Sequence, residues 1–295
     1  MSALSWQRDG QDWPNRAASR FVTAAGLRWH VQIMGQGPVL LLLHGTGAAT
    51  HSWRGLAPLL AERFTIVAPD LPGHGFTEAP EPERLSLPAM ARAVAALLGQ
   101  LAMSPEVIVG HSAGAAIALR LVLDKAVRPR AIVSLNGALL PFRGVASQLF
   151  PSLARLLVLN PLVPRFFAWR AGSAGAVENL LEGTGSQIDA AGLRFYQRLF
   201  ASRVHVASTL AMMAHWDLHG LGRDFSKLDL PILLIAGSAD RAVRPAEAAA
   251  LAERLPRARL HRVAGGHLVH EEDPALIARL IYAFMEERND LRPSN

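Results

Sequence analysis

The sequence contains no cysteine among its 295 residues. This absence excludes disulfide bonds, thiolate-bound zinc, iron–sulfur clusters and a cysteine nucleophile, although it leaves the redox compartment undecided. Charged residues are also few, at 18% against a typical share of about 25%, whereas hydrophobic residues make up 51%. A chain of this length and composition buries a large apolar core and is not disordered.

Lysines and long apolar runs are scarce as well. Lys125 and Lys227 are the only lysines, so 28 of the 30 basic residues are arginines. The arginines are scattered and form no basic run, so the sequence does not predict nucleic-acid binding. The richest apolar stretch, residues 149–169, is interrupted too often by arginine and proline to cross a bilayer. The first 15 residues lack the apolar core of a secretory signal. We therefore predict no transmembrane segment and a cytoplasmic location, with peripheral membrane contact left open.

Short apolar runs alternate with helical patterns at both ends of the chain. The predicted strands are Phe21–Ala24, Leu27–Met34, Val39–Leu43, Phe64–Ala68, Glu106–Val109, Ala131–Leu135, Ile232–Ala236 and Arg259–Val263. The predicted helices are Ser86–Leu101, Ala113–Lys125, Pro245–Arg254 and Pro274–Arg288, the last with Asp273 as its N-cap. The pattern predicts an α/β fold with a mostly parallel, doubly wound, eight-stranded sheet, and the first two strands form an antiparallel hairpin at one edge.

Residues 139–223 break this alternation with helical patterns, prolines and glycines. We predict a core of residues 1–138 and 224–295 and a helical cap, or lid, of residues 139–223, inserted before the last two strands. An insert at the carboxyl ends of parallel strands lies over the crevice where such sheets bind ligands. The alternative interpretation is a second packing layer with no role in the site.

A G-x-S-x-G motif, residues 110–114, stands between an apolar strand and a helical pattern. In that context the glycines permit a tight, strained turn that exposes the hydroxyl of Ser112 as a nucleophile. The helix that begins at Ala113 also places partly positive backbone N–H groups beside this hydroxyl. We therefore predict that Ser112 is the catalytic nucleophile.

A serine nucleophile needs a base, which a carboxylate in turn orients. Asp240 follows the strand that starts at Ile232, and His267 follows the last strand, so both come off the same sheet edge as Ser112. Asp224 and Asp229 are the nearest competitors for the acid. We predict that Asp240 is the acid and His267 the base.

A glycine-rich loop, residues 44–48, follows the third strand. Hydrolysis of an acyl compound passes through a tetrahedral oxyanion, which two preorganised N–H donors stabilise. We predict that the backbone N–H groups of Thr46 and Ala113 form this oxyanion hole, whereas His44 is structural. The sequence has no dinucleotide or P-loop motif, and His215 and His219 lack an acidic third ligand, so we predict neither a cofactor nor a metal.

Together, these motifs resemble the α/β-hydrolase superfamily over nearly the whole chain. The segment Asp70–Gly75 after the fourth strand completes the set, and a serine at position 112 separates the chain from relatives with an aspartate nucleophile. Three further segments, residues 13–16, 26–32 and 44–53, resemble one branch, the magnesium-chelatase accessory proteins of bacteriochlorophyll biosynthesis. This narrower resemblance implies a setting in the magnesium branch of tetrapyrrole synthesis and does not supply a reaction.

These inferences predict a serine hydrolase that acts on an ester-like or other carbonyl compound. The cap is rich in apolar residues, so we expect an apolar substrate such as a tetrapyrrole, with His111, Trp169 and Trp216 as substrate-binding residues and transient association with magnesium chelatase. One alternative is a non-catalytic, tetrapyrrole-binding accessory protein of the chelatase. A second alternative is a general carboxylesterase or carbon–carbon bond hydrolase.

Overall fold

A computed structural model describes residues 3–141 and 175–287 of the chain. Eight strands form one sheet. In chain order, β1 to β8 are Ser19–Ala24, Leu27–Met34, Val39–Leu43, Thr65–Pro69, Val107–His111, Ala131–Leu135, Ile232–Gly237 and Ala258–Val263. The predicted strands are confirmed, three with the same bounds and the others within one or two residues at each end.

The order of strands across the sheet is β1-β2-β4-β3-β5-β6-β7-β8. Strands β3 to β8 run parallel, whereas β2 is antiparallel to both β1 and β4. The predicted hairpin is confirmed, because Ala25 and Gly26 both have positive φ, as a type I′ turn requires. All the parallel strands therefore end at one edge of the sheet, which brings the loops that follow β3, β5, β6, β7 and β8 together.

Helices lie on both faces of this sheet. In chain order, the α-helices α1 to α11 of the described residues are Trp6–Asp9, Leu56–Leu60, Leu87–Gln100, Ala113–Leu123, Ala176–Gly183, Ala190–Phe200, Arg203–His215, His219–Arg223, Pro245–Arg254, Val269–Glu272 and Pro274–Glu286. Four short 3₁₀ turns are Arg16–Ala18, Thr50–Trp53, Pro82–Leu85 and Phe225–Lys227. The side chain of Asp273 accepts a hydrogen bond from the N–H of Leu276, which confirms it as the N-cap of α11.

The central strands are buried on both faces, which explains their unbroken apolar sequence. Along β3, Leu41 and Leu43 point into one apolar cluster with helices α3 and α4, while Leu40 and Leu42 point into the opposite cluster with α2 and α11. All four leucines are fully buried. Burial of such a side chain stabilises the fold by about 2 kcal/mol, so the parallel sheet is a rigid base for the loops at its carboxyl edge.

Between β6 and β7, the described part of the predicted cap consists of helices α5 to α8. The rest of that segment, residues 142–174, lies outside the described residues, and Trp169 with it. The division into a core and a cap of residues 139–223 therefore stays a prediction. In the described ranges, no helix is both long and apolar enough to cross a membrane.

Candidate active site

Ser112 occupies the turn between β5 and α4. Its backbone has φ 50° and ψ −117°, a strained combination for a residue with a side chain. The turn is held from below, because the N–H of Ser112 donates to the carbonyl of Leu135 at 3.0 Å and its carbonyl accepts from Ala138 at 3.1 Å. This strand, turn and helix have the geometry that the motif predicts.

Three glycines allow the backbone to close around Ser112. A β-carbon on Gly114 would lie 2.0 Å from the carbonyl oxygen of Leu43, and one on Gly110 would lie 2.5 Å from the Cα of Ala115. A β-carbon on Gly45 would lie 3.1 Å from that of Ser112. The loop after β3 is therefore packed directly against the nucleophile turn.

Asp240 and His267 meet at the same sheet edge. The Nδ1 atom of His267 lies 2.8 Å from the Oδ2 atom of Asp240, and both residues are buried, with exposures of 9% and 4%. The other oxygen of Asp240 accepts the N–H groups of Ala242 and Val243, each at 2.8 Å. Because a carboxylate can only accept, Nδ1 of His267 carries the proton and Nε2 is left as the basic nitrogen. Of the hydrogen bonds formed by the described residues, none joins His267 to the hydroxyl of Ser112, a contact that often tightens only with substrate bound.

The two predicted oxyanion donors lie on segments next to Ser112, because Ala113 follows it in the chain and Thr46 follows Gly45, which packs against it. Ala113 is the first residue of α4, so its N–H has no partner within the helix. Neither this N–H nor that of Thr46 donates to an acceptor in residues 3–141 and 175–287. Two such free donors beside a nucleophile are the arrangement that an oxyanion hole needs.

Asp70 holds the loop that carries Thr46. Its carboxylate pairs with His30 at 2.8 Å and accepts the N–H groups of Thr50 and Phe76 at 2.7 and 2.9 Å. Burial raises the pKa of Asp70, but His30 and these donors outweigh burial, and the net pKa lies below its ordinary value. His44 adds a second tie, since its Nε2 accepts the N–H of Leu71 at 2.9 Å. The loop is therefore fixed before any substrate arrives.

The three residues predicted to bind substrate have different positions. His111 is buried, and its Nε2 donates to the carbonyl of His267 at 2.9 Å. Trp216 caps the C-terminus of α7 and packs, partly buried, against the apolar core. Trp169 lies outside the described residues. The structure thus brings Ser112 and His111 into one region with the base, and substrate binding by His111, Trp169 and Trp216 stays a prediction.

Sequence reasoning missed Asn136, which follows β6 directly. Its Nδ2 donates to the carbonyls of Gly266 and His267 at 2.9 and 2.8 Å, and its Oδ1 accepts the N–H of Gly237 at 2.7 Å. The available signal was its position, because an asparagine right after a buried parallel strand lies at the same edge as the three predicted catalytic residues.

Glu271 is a second residue that holds the segment of His267 in place. Glu271 lies in the short helix α10, and its side chain is fully buried. There the carboxylate accepts hydrogen bonds from Ser52 and Tyr196 at 2.6 and 2.7 Å and pairs with Arg54. Burial raises the pKa of Glu271, and the charge of Arg54 opposes that rise. The network fastens the loop of His267 to the segment after β3 and to helix α6.

Buried imidazoles surround this region. In six of them burial lowers the pKa below the ordinary 6.5, to about 4 for His205 and about 3 for His270. The other members of the set are His44, His51, His74 and His111. These rings are neutral at pH 7, and all of them except His51 form hydrogen bonds to other described residues. No group of three or more His, Asp or Glu side chains in the described part of the chain could hold a metal ion.

Fold and motif geometry together define a class of protein. The chain belongs to the α/β hydrolase fold family, whose model matches residues 38–274. Among particular proteins, it is 43% identical over 282 residues to the Magnesium-chelatase 30 kDa subunit of Rhodobacter capsulatus, a match that covers 93% of this chain and 97% of that protein. The predicted resemblance to the chelatase branch is therefore confirmed.

Solved structures show the same fold. A putative lipase from Acinetobacter baumannii superposes with a TM-score of 0.78 at 21% identity and covers 97% of both chains. The epoxide hydrolase CorEH has a TM-score of 0.76 at 22% identity, with 91% of this chain and 98% of that chain covered. At these identities the similarity concerns the fold alone.

Proposed function

We propose that this protein is a serine hydrolase with Ser112 as nucleophile, His267 as general base and Asp240 as the orienting acid. The observation that carries the proposal is the 2.8 Å contact between His267 Nδ1 and Asp240 Oδ2, at the same sheet edge as the strained turn of Ser112. The three side chains occur in the chain order Ser, Asp, His that this fold uses.

The reaction then follows from the positions of these groups. Ser112 Oγ attacks the carbonyl carbon of an ester-like substrate while Nε2 of His267 takes its proton. The carbonyl π electrons move onto the oxygen, which accepts hydrogen bonds from the N–H groups of Thr46 and Ala113. Collapse of this intermediate expels the alcohol, which receives the proton from His267. A water molecule, deprotonated by the same nitrogen, then attacks the acyl carbon. The bond to Ser112 Oγ breaks, the acid leaves, and Oγ takes back the proton from His267.

The proposed substrate is a bulky, apolar compound of magnesium-tetrapyrrole (bacteriochlorophyll) synthesis. Its first support is the 43% identity to a protein named as a magnesium-chelatase subunit. The second is the apolar character of the cap that we propose for residues 139–223. A β-carbon on Gly47 would lie 3.4 Å from the ring of Phe200, and the hydroxyl of Thr46 donates to Met212 Sδ at 3.7 Å. Trp169 and Trp216 belong to the same proposed cover.

A second candidate function is a non-catalytic accessory protein that binds a tetrapyrrole and associates transiently with magnesium chelatase. The name of the Rhodobacter relative favours it, since that name describes a subunit and no hydrolysis. A general carboxylesterase or a carbon–carbon bond hydrolase would keep the three catalytic residues and lose the tetrapyrrole. The three functions differ in what they require of Ser112 and of the ligand.

Binding and turnover, measured side by side, separate them. Quenching of tryptophan fluorescence reports binding of magnesium protoporphyrin, and hydrolysis is followed on its methyl ester and on p-nitrophenyl acetate, for wild type and Ser112→Ala. We expect both variants to bind the macrocycle with similar Kd and only wild type to hydrolyse esters. Binding without turnover by wild type would favour the accessory protein. Turnover of the short ester with a macrocycle Kd weaker than about 50 μM would favour a general esterase.

A further inference from the structure

The main-chain carbonyl of His267 receives two side-chain hydrogen bonds from other parts of the sheet. Asn136 donates from Nδ2 at 2.8 Å, and His111 donates from Nε2 at 2.9 Å. Both donors are almost fully buried, with exposures of 3% and 2%. Buried hydrogen bonds of this length fix a carbonyl firmly, because no water competes for it.

Asn136 also connects the base to the acid. Its Oδ1 accepts the N–H of Gly237, at the end of β7 and three residues before Asp240, while Nδ2 holds Gly266 in addition to His267. One side-chain amide thus ties together the carboxyl ends of β6, β7 and β8. Its backbone has φ 45°, a left-handed conformation that asparagine adopts more readily than most residues.

His111 meets His267 through its ring as well as through its hydrogen bond. The ring centroids of His111 and His267 are 4.7 Å apart, and the ring of His270 lies 4.4 Å from His111 on another side. The Nδ1 atom of His111 has no partner among the described residues. Because Nε2 faces a carbonyl, it must carry the proton, so the ring is the donor in this contact.

We propose that His111 and Asn136 are positioning residues that set the His267 imidazole between Asp240 and Ser112. This inference rests on the proposed function. The imidazole is attached to the backbone of His267, so a carbonyl held in place restricts where the ring can lie. Asn136 also holds the end of β7, the strand that precedes Asp240. Catalytic geometry is sensitive at this scale, since a displacement of about 1 Å can cost about 100-fold in rate.

The test compares two substitutions at one position. His111→Phe keeps a ring of similar size and loses the donor, whereas His111→Gln keeps a donor and loses the ring. Asn136→Ala removes the second donor, and His51→Phe is the matched control, because His51 is equally buried and neither of its nitrogens has a partner among the described residues. The readouts are kcat and KM for p-nitrophenyl acetate, the melting temperature, and the Nδ1–H resonance of His267 in 15N-histidine-labelled protein.

We expect kcat to fall about tenfold in His111→Phe and in Asn136→Ala with KM unchanged, and the His267 Nδ1–H resonance to shift or broaden in both. His111→Gln should recover kcat to within about threefold of wild type, and His51→Phe should match wild type. Equal kcat in His111→Phe and His111→Gln, together with an unchanged resonance, would overturn the proposal, as would a lower melting temperature as the only effect. If Asn136→Ala does not fold, the His111 pair decides alone.

Failure of the proposed function is visible separately. A wild-type protein that hydrolyses no ester refutes the hydrolase, whereas the resonance of His267 still reports its contact with Asp240. A resonance that moves in His111→Phe and stays in place in His51→Phe would then support positioning. A His267 resonance that is unchanged in both His111→Phe and His51→Phe would overturn the positioning role.

Discussion

Backbone hydrogen bonds hold both Ser112 and Asp240 in place. The carboxylate of Asp240 is held by two amide N–H groups, and Ser112 is held by the end of β6. The acid therefore has a single free oxygen to offer, and it offers that oxygen to Nδ1 of His267. At the scale of residues, the acid fixes which tautomer the base adopts.

Asp240→Asn tests that dependence. The amide keeps the size of the side chain but can present N–H to Nδ1, which would leave the proton on Nε2 and remove the basic nitrogen. We expect kcat for p-nitrophenyl acetate to fall by about 10³- to 10⁴-fold with the fold intact. Asp224→Asn, at a half-buried carboxylate paired with Lys227 and Arg120, is the control and should keep wild-type kcat. Wild-type activity in Asp240→Asn would mean that another carboxylate is the acid.

Helix α7 connects the segment between β6 and β7 to residues 44–48, the proposed oxyanion loop. His205 donates from Nε2 to the carbonyl of Gly47 at 3.1 Å and accepts the N–H of Gly75 at Nδ1 at 3.2 Å. Its pKa of about 4 keeps the ring neutral, which suits a residue that must donate at one nitrogen and accept at the other. The helix therefore stabilises the loop that presents Thr46.

His205→Leu should loosen this loop. Leucine fills a similar volume and leaves two buried backbone groups without partners, so we expect a loss of about 2 kcal/mol in stability and about tenfold in kcat. Urea unfolding and ester hydrolysis measure the two effects. His215→Leu lies on the same helix and should change neither by much, since the one hydrogen bond that the His215 ring makes to the described residues is to the carbonyl of Ala211. Unchanged kcat in His205→Leu would show that α7 does not support the oxyanion loop.

Local patterns predicted the parallel strands well, because continuous apolar runs and the glycines around Ser112 leave little choice of structure. Contacts between residues far apart in the sequence could not be predicted from such local patterns. The buried position of Glu271 depends on Ser52 and Arg54, which lie more than 200 residues away in the chain. Asn136 was missed for the same reason, since its three hydrogen bonds each span about 100 residues or more.

At the scale of the whole molecule, six buried neutral imidazoles and Glu271 make stability depend on pH. The histidines have pKa values lowered by burial, so below 6.5 the unfolded chain takes up protons that the folded chain cannot. Stability therefore falls as pH falls, by up to about 1.4 kcal/mol per pH unit for each histidine. The raised pKa of Glu271 acts in the opposite sense. The lowered pKa of Asp70 stabilises the fold, and this contribution is lost only below the ordinary value of 3.8.

Urea midpoints at pH 7.5, 6.5 and 5.5 should show this dependence. We expect a modest decrease from pH 7.5 to 6.5, where these histidines become half-protonated in the unfolded chain, and a larger decrease from pH 6.5 to 5.5. His51→Phe removes one of the buried rings and should make the decrease shallower, whereas His261→Phe, at an exposed position on β8, should leave it as it is. The same midpoint at pH 7.5 and pH 5.5 would contradict the neutral, buried state of these histidines.

Whether Ser112 is an activated nucleophile is decided most sharply by labelling with a fluorophosphonate, read by intact-protein mass. Wild type, Ser112→Ala and His267→Ala are treated at pH 7.5 after their folds have been compared by circular dichroism. We predict one adduct, on Ser112, in wild type, none in Ser112→Ala, and labelling slowed by at least about 100-fold in His267→Ala. Absence of an adduct on folded wild type, or equal labelling of wild type and Ser112→Ala, would contradict a serine hydrolase.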